Sequence, residues 1–274
     1  MGAIIWLASY PKSGNTWLRA FLHNLLRDPV QPIDVNDLDR FTHGDTLRHW
    51  YQAVAERPLD ALTPEEIAGL RPLVHAKLTE SFPDSVFVKT HNMVGDWKNV
   101  PLITMELTAG AIYVVRDPRD VAVSLGHHFG LELDAAIAML NNPAAQTATD
   151  AINVAQFYGT WSMHADSWTA RPDKQLHVLR YEDMQDAAFK TFKNVASFLG
   201  LKPERARLEK AIRFSSFGVL REQERQHGFK ERSQHAQAFF RVGRAGQWRD
   251  KLSAEQVRRI ETAHAPVMRR FGYL

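Results

Sequence analysis

Lysine, serine and glycine stand in a row at Lys12-Ser13-Gly14, between an apolar run at 3–9 and a helical pattern with Trp17, Leu18, Phe21 and Leu22 on one face. Where a buried strand hands over to a helix, the first main-chain N–H groups of the helix lack internal partners and point into the crevice above the sheet. Such a turn is an anion site. Gly14 lets the backbone come close to a ligand, Lys12 adds a mobile positive charge, and Ser13, Asn15 and Thr16 add side-chain donors. The spacing differs from the triphosphate loop G-x-x-x-x-G-K-[ST], because lysine here precedes glycine and positions 7–10 hold no first glycine. The bland alternative is a polar turn.

A second handover lies in "YVVRDPRDVAVSLGHHFG", 113–130. Arg116 closes an apolar run, and Asp120, Val121 and Ser124 fall along one side of the helix that follows. A guanidinium fork and a serine at the carboxyl edge of an open sheet suit a second phosphate; the alternative pairs Arg116 with Asp117 or Asp120 at the surface. A third run, 85–89, delivers Lys89, Thr90 and His91 to the same rim. Among twelve histidines, position singles out His91 as a base, while His127 and His128 lie within a helix and read as surface or supporting groups. No His-x-x-x-His or paired-carboxylate spacing suggests a metal.

The elements that must hold these groups are short β-branched runs at 3–9, 85–89, 111–115 and 176–180, with little alternation. Such runs suit strands covered on both faces. Helical patterns fall at 15–27, 64–79, 117–129, 150–170, 183–199, 203–214 and 253–270. Strands alternating with helices imply an α/β fold with a central parallel sheet flanked by helices. Residues 28–50 read as a surface excursion. Residues 218–247, polar, basic and without a clear strand, read as a flexible C-terminal lid segment.

With 274 residues, 45% of them hydrophobic, the chain can bury one full-sized core, and it reads as a single domain over 1–274. The net charge of +3 is too small to argue for a polyanionic partner, so local clusters must carry that claim. The absence of cysteine excludes disulfides, thiolate metal sites and a cysteine nucleophile. No run approaches the roughly 18 to 20 apolar residues of a membrane span, and the run at 3–8 is too short for a signal-peptide core. A cytoplasmic protein is expected, without membrane or nucleic-acid partners.

Taken together, the motifs resemble those of the sulfotransferases that use 3′-phosphoadenosine 5′-phosphosulfate (PAPS) and release the desulfated nucleotide PAP. "YPKSGNTW" resembles their 5′-phosphosulfate loop, "RDPRDVAVS" their 3′-phosphate motif and "KTH" the strand end with their catalytic histidine. "RYEDM" (180–184), "SSF" (215–217) and "FRVGRAGQW" (240–248) follow in the expected order, so the resemblance spans 5 to about 250. The chain looks nearer the compact bacterial members, including those that modify glycopeptide antibiotics, than the animal cytosolic enzymes.

The resemblance implies a three-layer, P-loop-like fold and sulfuryl transfer without a metal. It implies that Lys12, Ser13, Gly14, Asn15 and Thr16 hold the 5′-phosphosulfate, that Trp17 packs near the adenine, and that Arg116 and Ser124 hold the 3′-phosphate. Tyr181 and Ser215-Ser216-Phe217 would line the adenosine pocket, and Arg241, Val242 and Gly243 would close over the 3′-phosphate. Val242 stands where the family usually has lysine, and Arg244 is a possible substitute. His91 would act as general base, Lys89 would bind sulfuryl oxygens, and Ser124 would restrain Lys12 until the acceptor arrives. The acceptor is expected to be a small hydroxyl compound: a phenol, an aromatic natural product or a sugar, met by aromatic surface from Phe41, His43, Trp50, Tyr51, Trp97, His127 and Phe129. The segment 251–261 departs from the dimerisation segment of the animal members, so the oligomeric state stays open. Two other readings compete: a nucleotide kinase or NTPase of related fold, and a non-catalytic nucleotide-binding protein.

Overall fold

The computed structural model describes residues 2–82, 84–171 and 173–274. In chain order the elements are β1 (Ile4–Ser9), α1 (Asn15–Arg27), β2 (Thr42–Gly44), α2 (Arg48–Val54), α3 (Pro64–Gly69), α4 (Arg71–Ser81), β3 (Val86–Thr90), β4 (Asp96–Trp97), β5 (Val100–Pro101), β6 (Thr108–Val115), α5 (Pro118–Phe129), α6 (Leu133–Leu140), α7 (Trp161–Thr169), β7 (Leu176–Arg180), α8 (Tyr181–Asp186), α9 (Ala188–Phe198), α10 (Arg205–Phe214), α11 (Phe217–His227) and α12 (Ala254–Arg270). Five strands form one parallel sheet in the order β2-β3-β1-β6-β7, and β4 and β5 form a separate hairpin.

Alternate residues of the central strands serve opposite faces, and both faces are apolar. Trp6 and Ala8 of β1 join Val86 and Val88 of β3 and Ala111, Tyr113 and Val115 of β6 beneath α4, α5, α7 and α12. Leu7, Ile112, Val114 and Leu179 pack on the other side, against α1, α8, α9 and α10. Full burial of each such aliphatic side chain contributes roughly 1.5–3 kcal/mol, which makes a one-residue register slip costly. Because all five strands run the same way, their carboxyl ends share one edge.

The sheet and its flanking helices agree with the sequence expectation; several boundaries do not. β2 lies inside the stretch read as a surface excursion, for Thr-His-Gly is too short and polar to make an apolar run. The helix expected over 150–170 is confined to α7, because Thr160 caps its start by accepting the Met163 amide. The pattern at 64–79 is two helices, with Pro72 in the first turn of the second, and that at 183–199 breaks at Ala187. The first part of the supposed irregular lid is helix α11. No helix among the described residues is long and apolar enough to cross a membrane.

Candidate active site

A cavity of about 980 Å³ opens at the carboxyl edge of the sheet. Lys12, Gly14, Asn15, Thr16 and Trp17 line it from the first turn, Lys89 and His91 from the end of β3, and Arg116 and Ser124 from the end of β6 and from α5. Tyr181, Phe217, Arg241, Val242 and Gly243 complete the wall. Ser13, Ser215 and Ser216 are not on it. The fully buried Ser215 hydroxyl turns back to the Ala211 carbonyl at 2.9 Å. Ser216 is the cap residue before α11.

The first turn takes its shape from two left-handed residues, Lys12 (φ 67°) and Gly14 (φ 106°). A side chain at Gly14 would also meet the Tyr181 ring, 2.6 Å from an added Cβ. Lys12 pays for its conformation with help from Arg116, whose Nη1 donates to the Lys12 carbonyl at 3.1 Å. Asn15 spends its side-chain amide on the Leu7 carbonyl at 2.8 Å, so it offers the cavity its main-chain N–H instead. The Ser13 hydroxyl and the Trp17 indole N–H are buried with no protein partner among the described residues.

Positive charge concentrates here. Burial, with Arg116 and Lys89 nearby, lowers Lys12 to about 7, and burial lowers Lys89 as well. The share of the Lys12 depression that comes from Arg116 and Lys89 marks a positive field that an anion would relieve. Lys12 Nζ lies 3.4 Å from Nδ1 of His128 and 3.8 Å above the Phe239 ring. The side chain within hydrogen-bond distance of Lys12 Nζ is thus that of His128, one helical turn beyond Ser124, and His128 lines the cavity. Arg116 is buried, with its guanidinium 4.2 Å over the Tyr181 ring and 3.9 Å from Asp120. Asp117 instead engages Arg119, and the Asp120 pairing considered for Arg116 forms in a buried position rather than at the surface.

His91 is clamped from several sides. Its Nδ1 lies 2.8 Å from the Ser9 carbonyl, which can only accept, so Nδ1 carries the proton and Nε2 keeps a free lone pair. Burial, then Lys89, pushes the ring well below its ordinary value, and it is neutral at neutral pH. His164 Nε2 donates to the His91 carbonyl at 3.0 Å and receives the Tyr113 hydroxyl on Nδ1 at 2.9 Å. On either side of His91, Thr90 and Asn92 both donate to buried Asp45 at 2.8 Å.

Residues 228–246 cover the cavity, held by Asp120 and by Glu224, which sequence reasoning does not single out. Glu224 accepts the Phe239 and Phe240 amides at 2.7 and 2.8 Å, and Asp120 accepts those of Gly246 and Trp248 at 2.6 and 3.0 Å. Gly243 (φ 66°) lies against Phe217, where an added Cβ would stand 2.2 Å from the ring. Arg241 donates to Gln247 at 3.0 Å. Arg244, the possible substitute for the missing lysine, points away and pairs with Asp250 at 3.1 Å.

The sulfotransferase domain family model matches residues 4–272. The chain belongs to this sulfotransferase family. It is similar to mouse sulfotransferase 1B1, with 25% identity over 96% of this chain and 82% of that protein. It is also similar to Arabidopsis thaliana cytosolic sulfotransferase 16, with 26% identity over 93% and 73%, and to Photinus pyralis luciferin sulfotransferase, with 24% identity over 94% and 69%. In fold it resembles retinol dehydratase solved with androsterone and PAP, at a TM-score of 0.65, 21% identity and coverage of 97% of this chain and 80% of that one. Mouse SULT7A1 complexed with PAP gives 0.63, 21%, 97% and 84%.

Proposed function

We propose that this sulfotransferase is a single-domain cytoplasmic enzyme that moves the sulfuryl group of PAPS to a hydroxyl of a small-molecule acceptor, with His91 as general base. One juxtaposition supports the reading best: a neutral imidazole with a free Nε2 shares a cavity with Lys12, Lys89 and Arg116. The acceptor oxygen attacks sulfur as its proton passes to Nε2, and the bond from sulfur to the 5′-phosphate oxygen breaks. Transfer of this kind has a loose, in-line transition state by analogy with phosphoryl transfer, so charge grows on the leaving phosphate. Lys12 and the main-chain N–H groups at the start of α1 neutralise it. Lys89 holds sulfuryl oxygens, Arg116, Ser124 and Arg241 hold the 3′-phosphate, and Trp17, Tyr181 and Phe217 flank the nucleoside.

A nucleotide kinase would need acidic groups free for magnesium. Asp117 is engaged by Arg119, and Asp120 by two amides of the covering segment. Calorimetry with PAP tests the donor first, and failure to bind PAP ends the proposal. His91→Ala should then retain PAP affinity within about threefold and lose about 10²- to 10⁴-fold in turnover; near-normal turnover would remove His91 as the base.

A further inference from the structure

Strand β2 brings three residues to the edge of the sheet, paired with β3 from Phe87 to Lys89, and Asp45 follows it directly. The Asp45 amide donates to the Lys89 carbonyl at 3.2 Å, so this pairing carries the Asp45 carboxylate alongside the residues that leave β3. There a single oxygen, Oδ2, accepts the Thr90 hydroxyl and the Asn92 side-chain amide, each at 2.8 Å, and the Thr90 hydroxyl accepts the Asn92 main-chain N–H at 3.0 Å. His91 lies between them. Its main chain is thus held on both sides by one carboxylate, while the Ser9 carbonyl holds its ring.

Asp45 is fully buried and does not line the cavity. Arg71, equally buried, balances its charge with Nη1 3.7 Å from Oδ2. The two residues also reach the opposite wall: Arg71 Nη2 donates to the Ala155 carbonyl at 3.1 Å, and Asn92 Oδ1 accepts the Phe157 amide at 2.8 Å. Asn153 and Tyr158, which flank that stretch, line the cavity. Apolar residues of similar volume often stabilise a core as well as a buried ion pair does. What they would not supply is an acceptor shared by the neighbours of His91.

Resting on the sulfotransferase reading above, we propose that Asp45, charge-balanced by Arg71, is a positioning residue for His91 and fixes the direction in which Nε2 meets the acceptor hydroxyl. Lys12 and Arg116 follow other strands, so loosening this brace should spare the nucleotide.

The test removes the buried charge first. In an Arg71→Met background, Asp45→Asn keeps one oxygen for both donors, whereas Asp45→Ala keeps none. Nitrogen-15 spectra of histidine-labelled, PAP-bound protein report the His91 tautomer, with the signal assigned by His91→Gln. Asp45→Asn should keep the Nδ1–H form, and Asp45→Ala should shift toward the Nε2–H form. With PAPS and 2-naphthol, kcat of the Asp45→Ala chain should lie about tenfold or more below that of the Asp45→Asn chain, the scale of a misdirected catalytic group, while PAP affinity differs less than about twofold. If the Asp45→Ala chain does not fold, Thr90→Val in the wild-type background removes one of the two donors and should shift the tautomer in the same direction. An unchanged His91 signal in whichever of these two chains folds overturns the proposal, as does equal kcat in the Asp45→Ala and Asp45→Asn chains. Failure of the wild-type chain to bind PAP, or near-normal turnover by His91→Ala, would instead refute the reading on which the proposal rests.

Discussion

Lys12, His91 and Arg116 hang from the ends of buried parallel strands, whereas Arg241 hangs from an irregular segment tied down by the carboxylates of Glu224 and Asp120. On the first wall the main chain is part of the core: Trp6, Leu7 and Ala8 are fully buried immediately before the turn that carries Lys12. On the second, Glu224 and Asp120 hold residues 239–248 through four amide hydrogen bonds. The contrast suggests a division of labour. Damage to the strand-end wall should show in turnover, and damage to the covering wall should show in affinity.

Lys12→Met should give the largest effect, because it removes one principal charge from the leaving phosphate while keeping most of the side chain's volume. A loss of about 10²-fold in kcat is expected, the scale of one electrostatic contact in a preorganised site. The same variant sharpens the pH behaviour. Free Lys12 titrates near 7, and bound phosphate favours its charged form, so wild-type PAP binding takes up a proton above that pH. PAP affinity should fall about tenfold per unit from pH ~7 to ~9, and be nearly flat in Lys12→Met. A flat wild-type profile by calorimetry would show that Lys12 does not titrate on binding.

Glu224→Gln probes the other wall at smaller scale. Its buried carboxylate accepts two amides with separate oxygens, and a glutamine must turn an NH₂ toward one of those donors. Losing one such bond should raise KM for PAPS about three- to tenfold, with kcat changed less than about twofold. A fall in kcat as large as that of Lys12→Met would erase the distinction between the walls.

The same contrast explains what is legible from sequence. Strands β1 and β6 are visible because burial on both faces makes unbroken apolar runs, β3 and β7 because valine and other apolar residues still dominate them, and the groups at their ends follow at fixed short spacings. β2 has only three residues and no run. α11 is hidden by Gly218 and its many charges, while its buried Leu220 finds partners in Ala20, Val35 and Leu38, far away in the chain. Glu224 carries no local signature. Five of the seven expected acceptor aromatics are diverted into packing that no spacing rule reveals, Phe41 against His23 and Phe87, His43 against Phe82, Trp97 against Phe157, and Trp50 and Tyr51 into the core, whereas His127 and Phe129 line the cavity.

The smallest effect is expected where sequence and structure disagree most simply. With valine at 242, Arg244 is the substitute that the sequence offers for the missing cation, beside Arg241, which the motif itself supplies. Arg241 lines the cavity, where burial and Arg116 lower its pKa below the ordinary guanidinium value, so a phosphate between them would relieve real repulsion. Arg244 is 65% exposed and paired with Asp250 outside the cavity, an arrangement worth about 0–1 kcal/mol at a surface. Arg241→Ala should therefore weaken PAP binding by about tenfold, the scale of one charged hydrogen bond, while Arg244→Ala stays within about twofold. Equal losses in the two variants, measured by calorimetry at one ionic strength, would mean that the covering segment rearranges on the nucleotide and that Arg244 takes the place of the absent lysine.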